Sequence, residues 1–375
     1  MSIPLLDIHA SHRPIRAELD AAIAAVLDHG RFVAGPEVAI FEQQFGAYCG
    51  AAECVGSSSG TDALTVGLLA AGIGRGDEVI IPAMTFIATA ESVVQTGAVP
   101  VFVDCDAATG LMEIARAQDA IGERTAAIVP VHLYGQMVDV DAFEALAASR
   151  GLLLVEDAAQ AHGAAFGGRR AGSVGAFGAF SFFPGKNLGA LGDAGALTTN
   201  DGALAGRARK LRDHGRSDKY RHDELGTNAR LDTLQAALLS VKLAHLEHWN
   251  ECRRAHAAAY DAAFADVESV RPVAVAAGAL PVYHQYVVRV AERERALQQL
   301  AASGIAAGVH YPIPLHRQPA LAGAAPLDAF PGADALAAEA LSLPVFPELS
   351  DEQRDRVTEA VRAHATRASG EVLAQ

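Results

Sequence analysis

Short β-rich runs alternate with helical stretches through the first two thirds of the sequence, and few folds accommodate that rhythm. Residues 54–57, 78–81, 99–103, 127–131 and 152–155 read as strands. Residues 15–28, 37–48, 61–71 and 141–148 carry apolar residues at helical spacing. Such repetition predicts an α/β fold on a mostly parallel sheet. Thr61 is the expected N-cap of the helix at 61–71, with Asp62 in its first turn. Farther on, 230–264 reads as one long helix or a bent pair, 283–290 as a strand and 293–303 as a helix. Residues 351–363 form a closing helix, and the last ten or so residues are expected to fray.

Composition limits the partners. With 51% hydrophobic and 20% charged residues, the 375-residue chain can bury a sizeable core, which excludes a disordered protein. Its net charge of -14 disfavours a nucleic-acid binder or an anionic-lipid surface. The longest stretch without Asp, Glu, Lys or Arg, 296–316, holds two prolines, two histidines and two glutamines and is no membrane span. The first residues show no signal-peptide pattern. Cys49, Cys54, Cys105 and Cys252 form no CxxC pair, and scattered cysteines of this kind read as reduced thiols. A soluble cytoplasmic protein is the expectation.

Three segments carry chemistry. The run LLLVEDAAQAHGA (152–164) ends an apolar strand in Glu156-Asp157, where open α/β sheets gather ligands. A carboxylate there needs a partner, such as a protonated ring nitrogen of a cofactor, or else caps the next helix. In SFFPGKNLGALGDAG (181–195), Lys186 is the only basic residue between Arg170 and Arg207. Apolar, glycine-rich surroundings favour a neutral amine, as a Schiff-base lysine requires; the alternative is a snorkelling surface lysine. A P-loop is excluded, because Phe180 and Asn187 stand where glycine and Ser or Thr are required. The run SSSGTDAL (57–64) offers hydroxyls, Gly60 and Thr61 at a helix N-terminus. That suits an anion such as phosphate, or an ordinary cap. No GxGxxG follows a strand and HExxH is absent; His245 and His248 sit on a charged helix, so no metal is expected.

Taken in order, the motifs SGTDAL, PAMTFIATAES, VPVFVDCD, VHLYGQ, EDAAQAHGA, SFFPGKNLGALGDAGA, GTNARLDTLQAA and HYPIPLHRQPA resemble the DegT/DnrJ/StrS sugar aminotransferases. These are fold-type I pyridoxal-phosphate enzymes. The resemblance implies a large domain over 1–240 with a mixed seven-stranded sheet, and a small C-terminal α/β domain over 241–375. It implies that Lys186 binds pyridoxal 5'-phosphate covalently and moves the proton during transfer. Asp157 would pair with the pyridinium nitrogen, Gln160 would approach the phenolic oxygen, and Phe86 would stack on the ring. Gly60, Thr61 and Ser181 would hold the phosphate.

The same resemblance implies a homodimer with shared sites. Asn228 would reach the partner's cofactor phosphate, while Arg230, His310 and Tyr311 would meet a nucleotide-sugar. On residues alone, Asn228 could cap the helix near Arg230, and Tyr311-Pro312 could be a turn. Glutamate would be the amino donor and a keto-sugar the acceptor. Gln160 after EDAA, PGKNLGALGD and HYPIPLHRQPA look like the branch that aminates C3 of a nucleotide-linked hexose. A 4-keto sugar, a keto-cyclitol, a sugar dehydratase and a non-catalytic regulator are the alternatives; Lys186 disfavours the dehydratase, whose relatives carry histidine there.

Overall fold

A computed structural model describes residues 2–325 and 329–372, with side chains described to residue 366. Seven strands form the main sheet: β1 (Glu53–Ser57), β2 (Glu78–Pro82), β3 (Val99–Val103), β4 (Thr125–Ile128), β5 (Leu153–Asp157), β6 (Phe177–Ser181) and β7 (Gly195–Thr199). Their order is β1-β7-β6-β5-β4-β2-β3. Strand β7 pairs antiparallel with both neighbours, and every other pairing is parallel. These strands are nearly continuous apolar runs because helices cover both faces. The expected mixed α/β sheet is what the chain builds.

Parallel strands end at one edge of a sheet, so their C-terminal loops gather there. Strand β1 runs through Ser58 and Ser59 into α1 (Gly60–Ala70). Strand β2 leads to Thr85, Phe86 and α2 (Ala88–Thr96). Strands β5 and β6 end in Asp157 and Ser181. The reversed β7 starts at this edge, where Gly195 is in register with both Ser57 and Ser181.

The cap of α1 lies two residues earlier than expected. Ser59, extended at φ -160°, accepts the Asp62 N–H on its hydroxyl, and Thr61 is already helical. The region 230–264 is the bent pair, α3 (Thr233–Leu243) and α4 (Leu246–Phe264). The expected strand at 283–290 is shorter, Tyr286–Val290, and lies between Val270–Pro272 and Ala340–Leu343 in a second, antiparallel sheet. The closing helix extends over Asp351–Val372; the final part of the expected frayed tail, 373–375, lies outside the described residues. The helices Gly202–Leu211 and Pro331–Glu339 had no counterpart in the sequence reading.

The largest apolar core fills both sides of the main sheet and includes Val282, Leu315, Phe330 and Leu336 from the last third of the chain. A second core joins Tyr260 and Phe264 of α4 to Tyr286, Leu341, Phe346 and Val357. Helix α4 belongs to both, because its first residue, Leu246, packs in the larger one. Among the described residues no helix is long and apolar enough to cross a membrane. His245 pairs with Glu18 at 3.2 Å.

Candidate active site

The C-terminal edge of the sheet opens into a cavity of about 590 Å³. Nine of the eleven candidate residues line it: Gly60, Thr61, Phe86, Asp157, Gln160, Ser181, Lys186, His310 and Tyr311. Asn228 and Arg230 do not. Asn228 is exposed, and its Oδ1 accepts from Arg230 Nε at 3.0 Å. Arg230 also lies 3.4 Å from Asp213. Asn228 caps no helix, since α3 starts at Thr233 behind Asp232.

The end of β5 is held from behind. Adjacent residues of a strand face opposite sides, so Glu156 is fully buried while Asp157 lines the cavity. Glu156 accepts the Gly172 and Val174 N–H groups at 3.0 and 2.9 Å and faces His132 Nε2 at 2.8 Å. A buried carboxylate needs such partners. The His132 N–H in turn donates to the Asp157 carbonyl at 3.0 Å. No helix follows for Asp157 to cap. Its Oδ2 accepts the Thr89 hydroxyl at 2.7 Å, and Thr89 contacts the Thr85 hydroxyl at 3.0 Å. Among the described residues Oδ1 has only the Ala159 N–H, at 3.2 Å.

Lys186 follows a tight turn in which its N–H donates to the Phe183 carbonyl at 2.8 Å. Among the described residues its ammonium has no hydrogen-bond partner. Burial pulls the amine down to about 8, against the opposing pull of the Asp157 carboxylate. The loop beyond is anchored by Lys242, buried on α3, whose Nζ donates to the Gly189 carbonyl at 2.5 Å.

At the start of α1 the backbone comes unusually close to its neighbours. A Cβ on Gly60 would lie 2.7 Å from the Ser181 Cβ, and one on Gly195 would strike the Ser59 carbonyl. Glycine leaves room there for the chain to turn its N–H groups to an anion.

The opposite wall comes from the segment at 310–311. Gln160 accepts the Tyr134 N–H at 2.6 Å and donates to the Tyr311 hydroxyl at 3.0 Å. Phe86, 54% exposed, has its ring 5.7 Å from that of Tyr311. His310 Nδ1 meets the Ser342 hydroxyl at 2.8 Å; burial and then the Lys186 charge lower its pKa to about 4.

The sequence reading missed Thr85, Thr89, Asp193 and His284, which also line the cavity. Thr89 was within reach, because it stands in TFIATAES, one helical turn after Thr85. His284 gave no signal in sequence.

Residues 14–362 match the DegT/DnrJ/EryC1/StrS aminotransferase family. The chain belongs to that family. Among its members, dTDP-3-amino-3,4,6-trideoxy-alpha-D-glucose transaminase of Streptomyces venezuelae is 47% identical, over 97% of each chain. The crystal structure of S. venezuelae DesV with a ketimine intermediate superposes with a TM-score of 0.96, at 47% identity, covering 97% of this chain and 98% of that one. The PLP form of Spr1654 from Streptococcus pneumoniae, 27% identical, gives a TM-score of 0.88, covering 94% of this chain and 96% of that one. A DegT/DnrJ/EryC1/StrS aminotransferase is a pyridoxal-phosphate enzyme, and the cavity fits that cofactor on its own geometry. It offers an unpartnered amine, a carboxylate with spare acceptor capacity and a glycine-lined helix N-terminus.

Proposed function

We propose that this enzyme moves an amino group from glutamate to a ketone at C3 of a nucleotide-linked hexose, using the cavity at the sheet edge. The observation that carries this reading is the presence of Lys186, Asp157 and the Gly60–Thr61 turn in one cavity. Lys186 would hold pyridoxal 5'-phosphate, Asp157 its ring nitrogen, Gln160 its phenolic oxygen and Phe86 one ring face. The Gly60 and Thr61 N–H groups, the Thr61 hydroxyl and Ser181 would hold its phosphate. When bound, the cofactor supplies an electron sink for the carbon that loses a proton.

The chain's own part is to place and move that proton. An amine lowered to about 8 is neutral in a useful fraction near neutral pH, so Lys186 Nζ can take a proton from the amino carbon and later return it. Asp157 stays a hydrogen-bond acceptor, oriented by the Thr89 hydroxyl. His310 and Tyr311 sit where the sugar would enter. Support for C3 comes from the branch-like motifs around Gln160 and Lys186, and from the 3-amino sugar in the name of the Streptomyces relative. With matched 3-keto and 4-keto nucleotide sugars plus glutamate, amination is expected at C3. Amination at C4 alone, or of a free cyclitol alone, refutes that choice.

The exposed position of Asn228, outside its own chain's cavity, supports a homodimer in which it and Arg230 serve the partner's site. Arg230 would offer paired donors to the sugar's diphosphate. Asn228→Ala chains mixed with Lys186→Ala chains should recover part of the activity, since one site of the mixed dimer keeps both groups. Absence of recovery, with the mixed dimer present, refutes shared sites. A division of the chain into a large domain over 1–240 and a small one over 241–375, and a cytoplasmic location, belong to the same proposal.

A further inference from the structure

Tyr134 lies in the loop beyond β4 and does not itself line the cavity, yet it bonds to three residues that do. Its backbone is left-handed, with φ 61° and ψ 4°, a region that bulky residues rarely enter. The residue is buried, and three hydrogen bonds hold it there. Its N–H donates to Gln160 Oε1 at 2.6 Å, its carbonyl accepts the Gln285 N–H at 3.3 Å, and its hydroxyl donates to the His310 carbonyl at 2.5 Å. Among the described residues the His310 carbonyl accepts no other bond. Backbone strain over-determined in this way is characteristic of segments that serve a site.

The first of these bonds sets the direction of the next. A main-chain N–H can only donate, so it selects the oxygen of the Gln160 amide and turns Nε2 the other way. That nitrogen donates to the Tyr311 hydroxyl oxygen at 3.0 Å. The Tyr311 oxygen is therefore the acceptor on that side, and its own proton is left over. Nothing among the described residues accepts that proton, and Tyr311 lines the cavity. A hydroxyl in this state offers a donor to whatever enters, which suits a carbonyl, hydroxyl or phosphate oxygen rather than an ammonium group.

We propose that Tyr134 is a positioning residue for substrate recognition: its N–H and hydroxyl together fix Gln160 and the 310–311 segment so that the Tyr311 hydroxyl meets the sugar as a hydrogen-bond donor to an oxygen. The proposal rests on the nucleotide-sugar reading of the cavity. Because the controlling N–H belongs to the main chain, Tyr134→Phe keeps the direction of the chain of bonds and loses only the grip on His310.

The test uses the full-length, cofactor-loaded enzyme and calorimetric titration with dTDP-glucose, a nucleotide-linked hexose that carries hydroxyls and no ketone. Tyr311→Phe removes the donor and should weaken binding roughly 5–10-fold, the worth of one hydrogen bond. Tyr134→Phe should weaken it about 3-fold, since the donor remains but is held less firmly. Tyr134 acts through Tyr311, so the double variant should bind no more weakly than Tyr311→Phe alone. With a keto-sugar that the wild type aminates, the same changes should fall on KM rather than on kcat. A lower melting temperature with an unchanged Kd in Tyr134→Phe makes the residue merely structural and overturns the proposal, and so do effects that multiply in the double variant. If Tyr134→Phe does not fold, Tyr311→Phe decides: weaker binding supports the donor and an unchanged Kd overturns it. Failure of the nucleotide-sugar reading looks different, because the wild type then binds no dTDP-glucose even at millimolar concentration, and the proposal falls with it.

Discussion

Lys186→Ala binds the cofactor and transfers almost no amino groups. General-base catalysis alone is worth about 10²–10⁴-fold, and loss of the covalent anchor adds to it, so a fall of several orders of magnitude is expected in single-turnover assays with glutamate. The sequence makes the assignment easy to check, because it has only four lysines: Lys186, Lys210, Lys219 and Lys242. Borohydride reduction of the wild type should leave the pyridoxyl group on the Lys186 peptide. Lys242 is the serious competitor, since it too is buried and lowered to about 8. However, its Nζ is engaged by the Gly189 carbonyl, whereas the Lys186 amine has no hydrogen-bond partner among the described residues. An adduct on Lys242 would refute the site.

Asp157→Ala is expected to be the second most damaging change. Removal of one partner from a buried charged pair costs about 3–5 kcal/mol, which at about 1.4 kcal/mol per decade is roughly two to four orders of magnitude in rate. The loss should appear in proton removal from the amino carbon, and cofactor affinity measured by absorbance titration should fall as well. Asp157→Asn keeps the shape, and with it the contact to Thr89, but lacks the charge. If Asp157→Asn is as active as wild type, the carboxylate is only a structural acceptor for Thr89.

Much of this was legible in the sequence, for reasons specific to each segment. The strands of the main sheet are short apolar runs because both faces are covered, so their composition alone marks them. Asp157 and Lys186 stand out because charge is rare in their segments. Strand β7 did not stand out as a strand, and β6 showed only as an aromatic strand of unstated bounds ahead of Lys186. Their glycines, required for close approach to Ser59 and between Gly172 and Gly178, erase the usual β signature. Thr61 was taken for the cap of α1 because the hydroxyls at 57–61 are equivalent in sequence; only the extended backbone of Ser59 selects among them. His284 was invisible because only the fold brings it to Asn187, 97 positions away in the chain.

The shared core has a consequence for engineering. Investigators who wish to exchange acceptor preference between relatives will be tempted to splice chains between α3 and α4. Such a junction would graft foreign versions of Val282, Leu315, Phe330 and Leu336 onto a core that they help to fill. Interiors packed at crystal-like density respond to a single methylene, and unmatched volumes leave cavities or overlaps. A transplant that carries these four positions as the recipient's own residues, together with Asn250 to match Asn187, should tolerate the splice far better than one guided by the boundary alone.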